Sequence, residues 1–468
     1  HDFHLISSKV EVNDNPQSPS YPALPFLSRN IEPGEGGSPF NVPVVWYGRP
    51  LGSEFKSPYS PKDIEQFNFN YSVSFLINQN TDAEISITKS EHSNNHFRPD
   101  IIDSRFLAAI KGNGGPDGDQ TWNIFDSNQN SQSLIDYVRG AEVSSKIADL
   151  ISLNGIFNTE KKGFDLAYGF QLNRESLDIH YDEISRAEFD KDGKLIKTAD
   201  LFFLGGGINL SKSRNSNAIF FELEKNALEN LDIRLAARYE SMKNESSFDP
   251  KISFKYLITD SFNIRFSKGT AFSLPSMAQM FSSEINLGSV RDISSSVFVR
   301  QASIGNPNLK PATSNNSNLG LIFQKNSLRL SLDIWEIDYK DRIEVESAQA
   351  ILSSDPNGSS ITRNEFGDLI GVTTTYFNED NTLVRGMDIQ MQYLVELIKG
   401  SLSINLLGTN LSDFKTPSLT NSDLMINRVG KFNFDSHTFS LPKKRINSFV
   451  SWKYNSYSLN LNSRYLDS

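Results

Sequence analysis

The chain has 468 residues, of which 38% are hydrophobic and 22% charged, and it carries a formal net charge of −10 with no cysteine. That length exceeds what one soluble core fills and the apolar content is too high for gross disorder, so several domains or one large closed sheet are expected. The lack of thiols excludes disulfides, thiolate metal sites and a cysteine nucleophile, and the acidic balance argues against nucleic acid as the main partner.

No run approaches the ~18 consecutive apolar residues of a transmembrane helix, a test that leaves a β-barrel open because its lipid-facing residues alternate with polar ones. The chain starts at His1 with neither an initiator Met nor a signal segment and stops three residues after Tyr465, so it reads as part of something longer.

Residues 2–12 carry a weak strand pattern, and 13–64, rich in Pro, Ser, Asn and Gly, read as a long loop. A clear period of two then begins, with Phe67, Phe69, Tyr71, Val73 and Phe75 on one face and Asn68, Asn70, Ser72 and Ser74 on the other. Gln79–Asp82 is turn chemistry, after which Ala83, Ile85 and Ile87 resume the alternation. Similar tight connections fall at 159–163, 225–230, 259–261, 325–327, 398–400 and 455–456, each between two alternating runs. The plainest run is Leu231–Tyr239, where Leu231, Ile233, Leu235, Ala237 and Tyr239 oppose Asp232, Arg234, Ala236 and Arg238.

Between these hairpins lie long polar connections at 90–149, 174–217, 240–250, 268–317, 340–383 and 408–445. Short and long connections therefore take turns, as they do in an outer-membrane barrel with tight periplasmic turns and long external loops; soluble β-domains have no reason to sort them. Seven short turns imply fourteen strands, and the weak first strand makes about fifteen. Tyr457 and Tyr465 are eight residues apart on one face. That spacing is about 26 Å of strand, or roughly 20 Å along the membrane normal at a ~40° tilt, close to the ~25 Å apolar band with its aromatic girdles. Trp452 and Tyr454 suit the same girdle.

Residues 262–320 are more specific. Phe262–Phe272 (FNIRFSKGTAF) leads into Ser273-Leu274-Pro275-Ser276, then comes Gly305-Asn306-Pro307-Asn308-Leu309-Lys310-Pro311, and Ser314, Asn318, Leu319 and Gly320 follow. This order resembles the TonB-dependent outer-membrane receptor family. Ala236–Tyr239 with Asp249-Pro250-Lys251, Leu332–Ile343, Asn378 with Arg385-Gly386-Met387-Asp388, and Leu441–Arg445 continue the series. Gly112–Gly115, Asn123–Phe125 and Phe164–Ser176 extend it more loosely toward the start, so the resemblance covers nearly the whole chain. Ser273 stands where the family usually has Arg, and Ala312 where it usually has Glu.

The resemblance implies an all-β fold: a transmembrane antiparallel β-barrel of the type with about 22 strands, its lumen plugged by an N-terminal domain. Residues 1–468 are then a partial barrel domain of about 15 strands, with about four barrel strands expected before His1 and about three after Tyr465. The plug, its energy-coupling box and a signal peptide have no counterpart in this sequence.

The polar faces would line the lumen, with Arg234, Arg238, Arg265 and Asp388 as wall groups engaged in ion pairs or plug contacts more than in ligand contact. Trp122, Phe125, Phe281, Tyr376 and Phe377 fall in the long loops, where aromatics commonly anchor ligands. His92 and His96 have the i, i+4 spacing of a helical metal site but sit among Ser and Asn, and they read as incidental. Pro116-Asp117-Gly118-Asp119 lacks the later acid of a calcium loop and reads as a turn. Glu222 and Glu224 share one strand face, whereas glycosidase carboxylates flank a bond from opposing sides. With no Walker loop or nucleophile elbow, no enzyme is expected, and no cofactor is implied.

The resemblance implies active uptake of a scarce nutrient such as a siderophore, cobalamin or oligosaccharide across the bacterial outer membrane. The partners would be lipid, lipopolysaccharide near Lys443, Lys444 and Arg445, the TonB complex through the plug, and a small ligand. A passive porin and a secreted all-β carbohydrate-binding protein remain the alternatives.

Overall fold

A computed structural model describes residues 1–14, 24–52, 55, 58–190, 193–242, 245–293, 295–418, 424–433 and 440–467. Among them, fifteen long strands run in succession. They are β1 (Asp2–Asp14), β2 (Ser60–Asn78), β3 (Thr81–Ile101), β4 (Arg139–Lys161) and β5 (Phe164–Tyr181). Then come β6 (Leu210–Leu228), β7 (Leu231–Met242), β8 (Glu245–Thr259), β9 (Phe262–Ser273) and β10 (Ala312–Lys325). The last five are β11 (Leu328–Val345), β12 (Leu369–Leu397), β13 (Gly400–Pro417), β14 (Lys444–Tyr454) and β15 (Tyr457–Leu466). Each is the antiparallel neighbour of the next, from β1 on β2 to β14 on β15.

Two-residue turns close seven of the hairpins at one end of the wall: 79–80, 162–163, 229–230, 260–261, 326–327, 398–399 and 455–456. Positive φ at Gly163, Asn326 and Asn455 is the left-handed backbone conformation through which such tight turns match the right-handed twist of the strands, and Gly and Asn adopt it cheaply. All seven expected turns and the count of about fifteen strands stand.

The strands are longer than their apolar stripes. β1 is fully paired, from Asp2 opposite Ser72 to Asp14 opposite Ser60, although its own pattern is weak. The expected long connection at 240–250 is instead mostly strand, with Met242 opposite Glu245. The physical reason is common to both. Past the lipid a strand no longer needs an oily face, so its alternation disappears while its backbone pairing continues.

The two faces differ as the stripe requires. Ile233, Phe254, Phe266, Leu319, Ile334 and Met387 lie side by side across β7–β12. Trp452 stacks on Tyr454 at 6.0 Å beside the last turn, and Phe157 on Tyr168 at 5.2 Å, at the level of an inner girdle. Moving away from the turns, charge interrupts the oily run: Lys89 follows Ile87, Arg174 follows Leu172, and Glu336 follows Ile334. Glu336 pairs with Arg385 of β12 at 2.6 Å. About five outward residues per strand span ~30 Å of chain, or roughly 23 Å along the normal, which matches the apolar thickness of an outer membrane.

The opposite face is polar and concave. Asn68 donates to Ser90 at 2.6 Å, Asn70 to Thr88 at 2.8 Å and Ser152 to Asn173 at 2.7 Å. A hairpin in the β9–β10 connection, Ser283–Asp292 with Ser295–Ile304, touches β4 through Glu284 and pairs in parallel with β12 through Arg300–Ile304. On a flat sheet β4 and β12 would be about 38 Å apart, so the wall must curve around its polar side.

Leu235 is on the outer face, opposite Leu223 and Ile252. Leu235→Arg is expected to destabilise the folded receptor in lipid vesicles by ~2–4 kcal/mol if the side chain sits at mid-membrane. Chemical unfolding measures this, and a negligible change contradicts the assignment.

Candidate functional site

Four lumen residues expected from sequence lie on the polar face, each with a wall partner. Arg234 pairs with Glu222 at 3.2 Å and also with Glu224. Arg238 pairs with Glu240 at 2.6 Å and donates to Gln171 at 2.8 Å. Arg265 grips Asp333 at 2.7 Å across Gly320, where any Cβ would overlap both side chains. Asp388 accepts from the indole N–H of Trp335 at 2.9 Å. Half-exposed pairs of this kind are worth ~0–1 kcal/mol each. Each of the four therefore already has a partner on the wall itself.

His92 and His96 lie on one strand face about 13 Å apart, so a spacing that suits a helix does not converge here. His92 approaches Gln66 at 3.4 Å and His96 approaches Ser60 at 3.2 Å.

Above the lipid the long connections fold into a cap. Helices α1 (Asp103–Ile110) and α2 (Gln132–Val138), together with residues from 24–51 and 199–204, build an apolar core around Phe106, Trp122 and Phe202. The Phe106 ring meets Trp122 edge-on at 5.8 Å and Phe202 at 5.6 Å. Trp122 is 0% exposed, so it holds the cap together and offers no surface to a ligand. That departs from its expected place among ligand-contact candidates; the cap core consumes its ring because several loops share it. Phe125 is 39% exposed and packs edge-on against Phe40 at 5.9 Å.

Phe281 and Tyr376 are linked elsewhere through the Gly305–Pro311 motif, whereas Phe377, next to Tyr376 in the strand, points to the opposite strand face. Phe281 ends the short helix α3 (Met277–Phe281) and carries Lys212 over its ring at 5.3 Å. Asn306 ties α3 to β12: its backbone N–H donates to Gln279 and its side chain to the Tyr376 carbonyl at 2.8 Å. Asn378 exchanges hydrogen bonds of 2.9 Å with both backbone groups of Lys310 and donates to Asp341 at 2.8 Å. The motif is thus a clasp that returns the β9–β10 connection to the wall, with Tyr376 and Phe377 in the strand it clasps.

A second clamp fixes the far side of this hairpin. Asp100, fully buried at the outer end of β3 and well beyond the apolar band, accepts N–H bonds from Ile101 at 2.7 Å, Phe203 at 3.0 Å and Leu204 at 2.7 Å. Arg300 donates to the carbonyls of Leu201 and Phe202, both at 3.1 Å, and lies over the Phe26 ring. Burial pushes the Asp100 carboxyl up to about 6 despite those donors and lowers Arg300 to about 10.

Between wall and hairpin lies a polar cavity of about 220 Å³. Lys62, His96, Ser144 and Tyr181 stand directly opposite one another across β2–β5 and form its floor. Arg98 pairs with Glu142 at 2.9 Å, and Lys146 meets Glu284 of the hairpin at 2.7 Å. Burial and the charges of Arg98 and Lys62 push the His96 imidazole down, and burial with Glu284 nearby pushes the Tyr181 and Tyr376 phenols up. Burial opposes ionisation of Glu284, but Lys146 outweighs it and holds the carboxyl below its ordinary range. None of Lys62, Arg98, Lys146 and Glu284 stands out in the sequence, because they lie in stretches where both strand faces are polar. A wider cavity of about 520 Å³ opens beside it on the polar face, lined in part by Leu150, Leu177 and Met277, with Arg214 paired to Glu175 at 2.8 Å at its margin.

A curved antiparallel wall, oily outside and charged inside, with tight turns at one end and a folded cap at the other, defines a transmembrane β-barrel of the outer-membrane kind. A family model described as "TonB dependent receptor-like, beta-barrel" matches residues 10–468. The chain belongs to that family, whose members are transport receptors of the bacterial outer membrane. A probable TonB-dependent siderophore receptor, PirA of Acinetobacter baumannii, is 28% identical over 133 residues, or 28% of this chain and 18% of PirA. The solved siderophore receptor PirA from the same organism superposes with a TM-score of 0.52 at 16% identity, over 87% of this chain and 51% of that one. The copper transporter OprC gives 0.51 at 11% identity, over 87% of this chain and 53% of that one. The chain spans about half the length of these solved structures.

The Asp100 shift has a definite sign. A folded-state value above the unfolded ~3.9 means that the fold prefers the protonated acid. This contribution is complete below about pH 4 and lost as pH rises through about 6. Amide exchange at Leu201–Leu204 should therefore be slowest near pH 4, after correction for the intrinsic rate. Asp100→Asn should flatten that dependence, and an unchanged slope contradicts the assignment.

Proposed function

We propose that this wall and cap are the outer part of a receptor that captures a scarce nutrient and passes it inward at the expense of the inner-membrane proton gradient. The observation that carries the reading is the cap itself: described residues of five connections pack into apolar clusters beside a polar cavity lined by charged groups. In this reading the fifteen strands belong to a larger closed barrel, because strand edges left unpaired in lipid cost several kcal/mol per backbone group. A plug would fill the polar face, meet Arg234, Arg238, Arg265 and Asp388, and couple to the TonB complex.

The relatives' names favour a metal chelate, a siderophore above all, as the cargo. Of the loop aromatics expected from sequence, Phe125, Phe281 and Tyr376 remain candidate contacts for it at the cap, with Phe377 on the opposite strand face from Tyr376, while the outer rim at Lys443, Lys444 and Arg445 faces lipopolysaccharide phosphates.

The test is growth of an iron-starved strain that lacks its own receptors and expresses the full-length protein, supplied with a panel of ferric siderophores. Growth on one or a few of them, abolished when the inner-membrane TonB protein is deleted, is the expected result. Uptake that continues without TonB would identify a passive porin.

A further inference from the structure

We propose that the 220 Å³ cavity between β2–β5 and the hairpin receives an anionic oxygen group of the ligand, a carboxylate or a phosphate, and that Glu284 holds the place until the ligand arrives. The inference rests on the receptor reading above and names the chemistry recognised at its mouth.

Wall geometry sets the preference for an anion. The row Lys62, His96, Ser144 and Tyr181 is flanked by Arg98 and Glu142 on the outer side and by Lys146, opposite Asn94, on the inner side. Glu142 is already committed: Arg98 holds one oxygen at 2.9 Å and the Gly206 N–H donates to the other at 3.2 Å. Lys62 has no carboxylate within ion-pair distance among the described residues. His96 is held neutral and Tyr181 keeps its proton, so both can donate hydrogen bonds without adding negative charge. Among the wall residues that line the cavity there are therefore three cations against one satisfied acid, with Asp14 of β1 a further acid whose charge reaches His96.

The remaining acid comes from outside the wall. Glu284 reaches in from the hairpin, takes Lys146 at 2.7 Å and is steadied by Asn286 at 3.1 Å. Its side chain is 35% exposed, so rotation returns it to water without moving the hairpin, whose backbone stays bonded to Gly206 and Ile208. A carboxylate thus already sits in the cavity, supplied by the chain itself. A ligand acid that also engages Lys62, which Glu284 leaves unpaired, gains a contact that Glu284 lacks. The volume is about that of seven liquid waters, enough for one anionic group and some solvent but not for a whole chelate. The cavity is therefore a subsite for one arm of the ligand.

Calorimetric titration of the full-length receptor in detergent, with citrate and with inorganic phosphate as separate probes, tests this. At least one probe should bind. Glu284→Gln should tighten it about tenfold and Lys62→Gln should weaken it about tenfold, factors typical of one charge-assisted contact. Retention of the heat-induced shift in gel mobility shows that each variant is still a folded barrel. If neither anion binds the parent or Glu284→Gln, or if Glu284→Gln leaves the affinity unchanged, the proposal is overturned. TonB-dependent growth alongside that failure would remove the subsite alone, whereas anion binding without TonB-dependent growth would remove the transport reading.

Discussion

Hydrocarbon offers no hydrogen-bond partner to a peptide group, and the rest of this structure follows from that constraint. An N–H or C=O left bare in lipid costs several kcal/mol, so every strand that crosses must be paired along its full height by neighbours of fixed register. Continuous neighbour-to-neighbour pairing from β1 to β15, interrupted only by single bulges such as that at Arg385/Gly386, satisfies that demand, and two-residue turns close seven of the pairs. Once backbone polarity is confined to the plane of the sheet, side chains alone decide what each face meets. Alternation then gives an oily exterior and a charged interior from a single sequence rule.

Because the ladders continue past the membrane, the outer loops spring from a stiff rim. This lets the connections build a core of their own around Phe106, Trp122 and Phe202. Two devices fix the β9–β10 hairpin across the mouth: the Asn306 and Asn378 clasp to β12, and Arg300 bound to the 201–202 carbonyls. Glu284 is delivered to Lys146 by that same hairpin. The site at the mouth is thus a product of loop packing more than of any local motif.

Legibility in the sequence follows the same division. Where a strand lies in lipid, one face must be apolar and the other need not be, so Leu231–Tyr239 and Phe164–Leu172 announce themselves. The turns are equally plain, since Gly163 and Asn455 sit between such runs. Above the lipid both faces meet water, as at His92–Arg98, and pairing there depends on a partner strand that local sequence does not reveal. The same loss of contrast hides the cavity residues. Trp122 shows the opposite error: a loop aromatic invites a binding role, but whether it faces out or in depends on long-range packing that one stretch of sequence does not carry. The Gly305–Pro311 segment was legible as a family resemblance, and its function as a clasp needed the contacts of Asn306 and Asn378.

Everything above depends on the odd-numbered residues of β7 facing lipid while the even-numbered ones face the lumen. With no native cysteine in the chain, single cysteines at 231–239 can carry spin labels in the full-length receptor reconstituted in vesicles. Collision rates with oxygen and with a polar nickel chelate should alternate with a period of two and in opposite phase, oxygen favouring the odd positions. Equal access of both reagents to both sets of positions would contradict it.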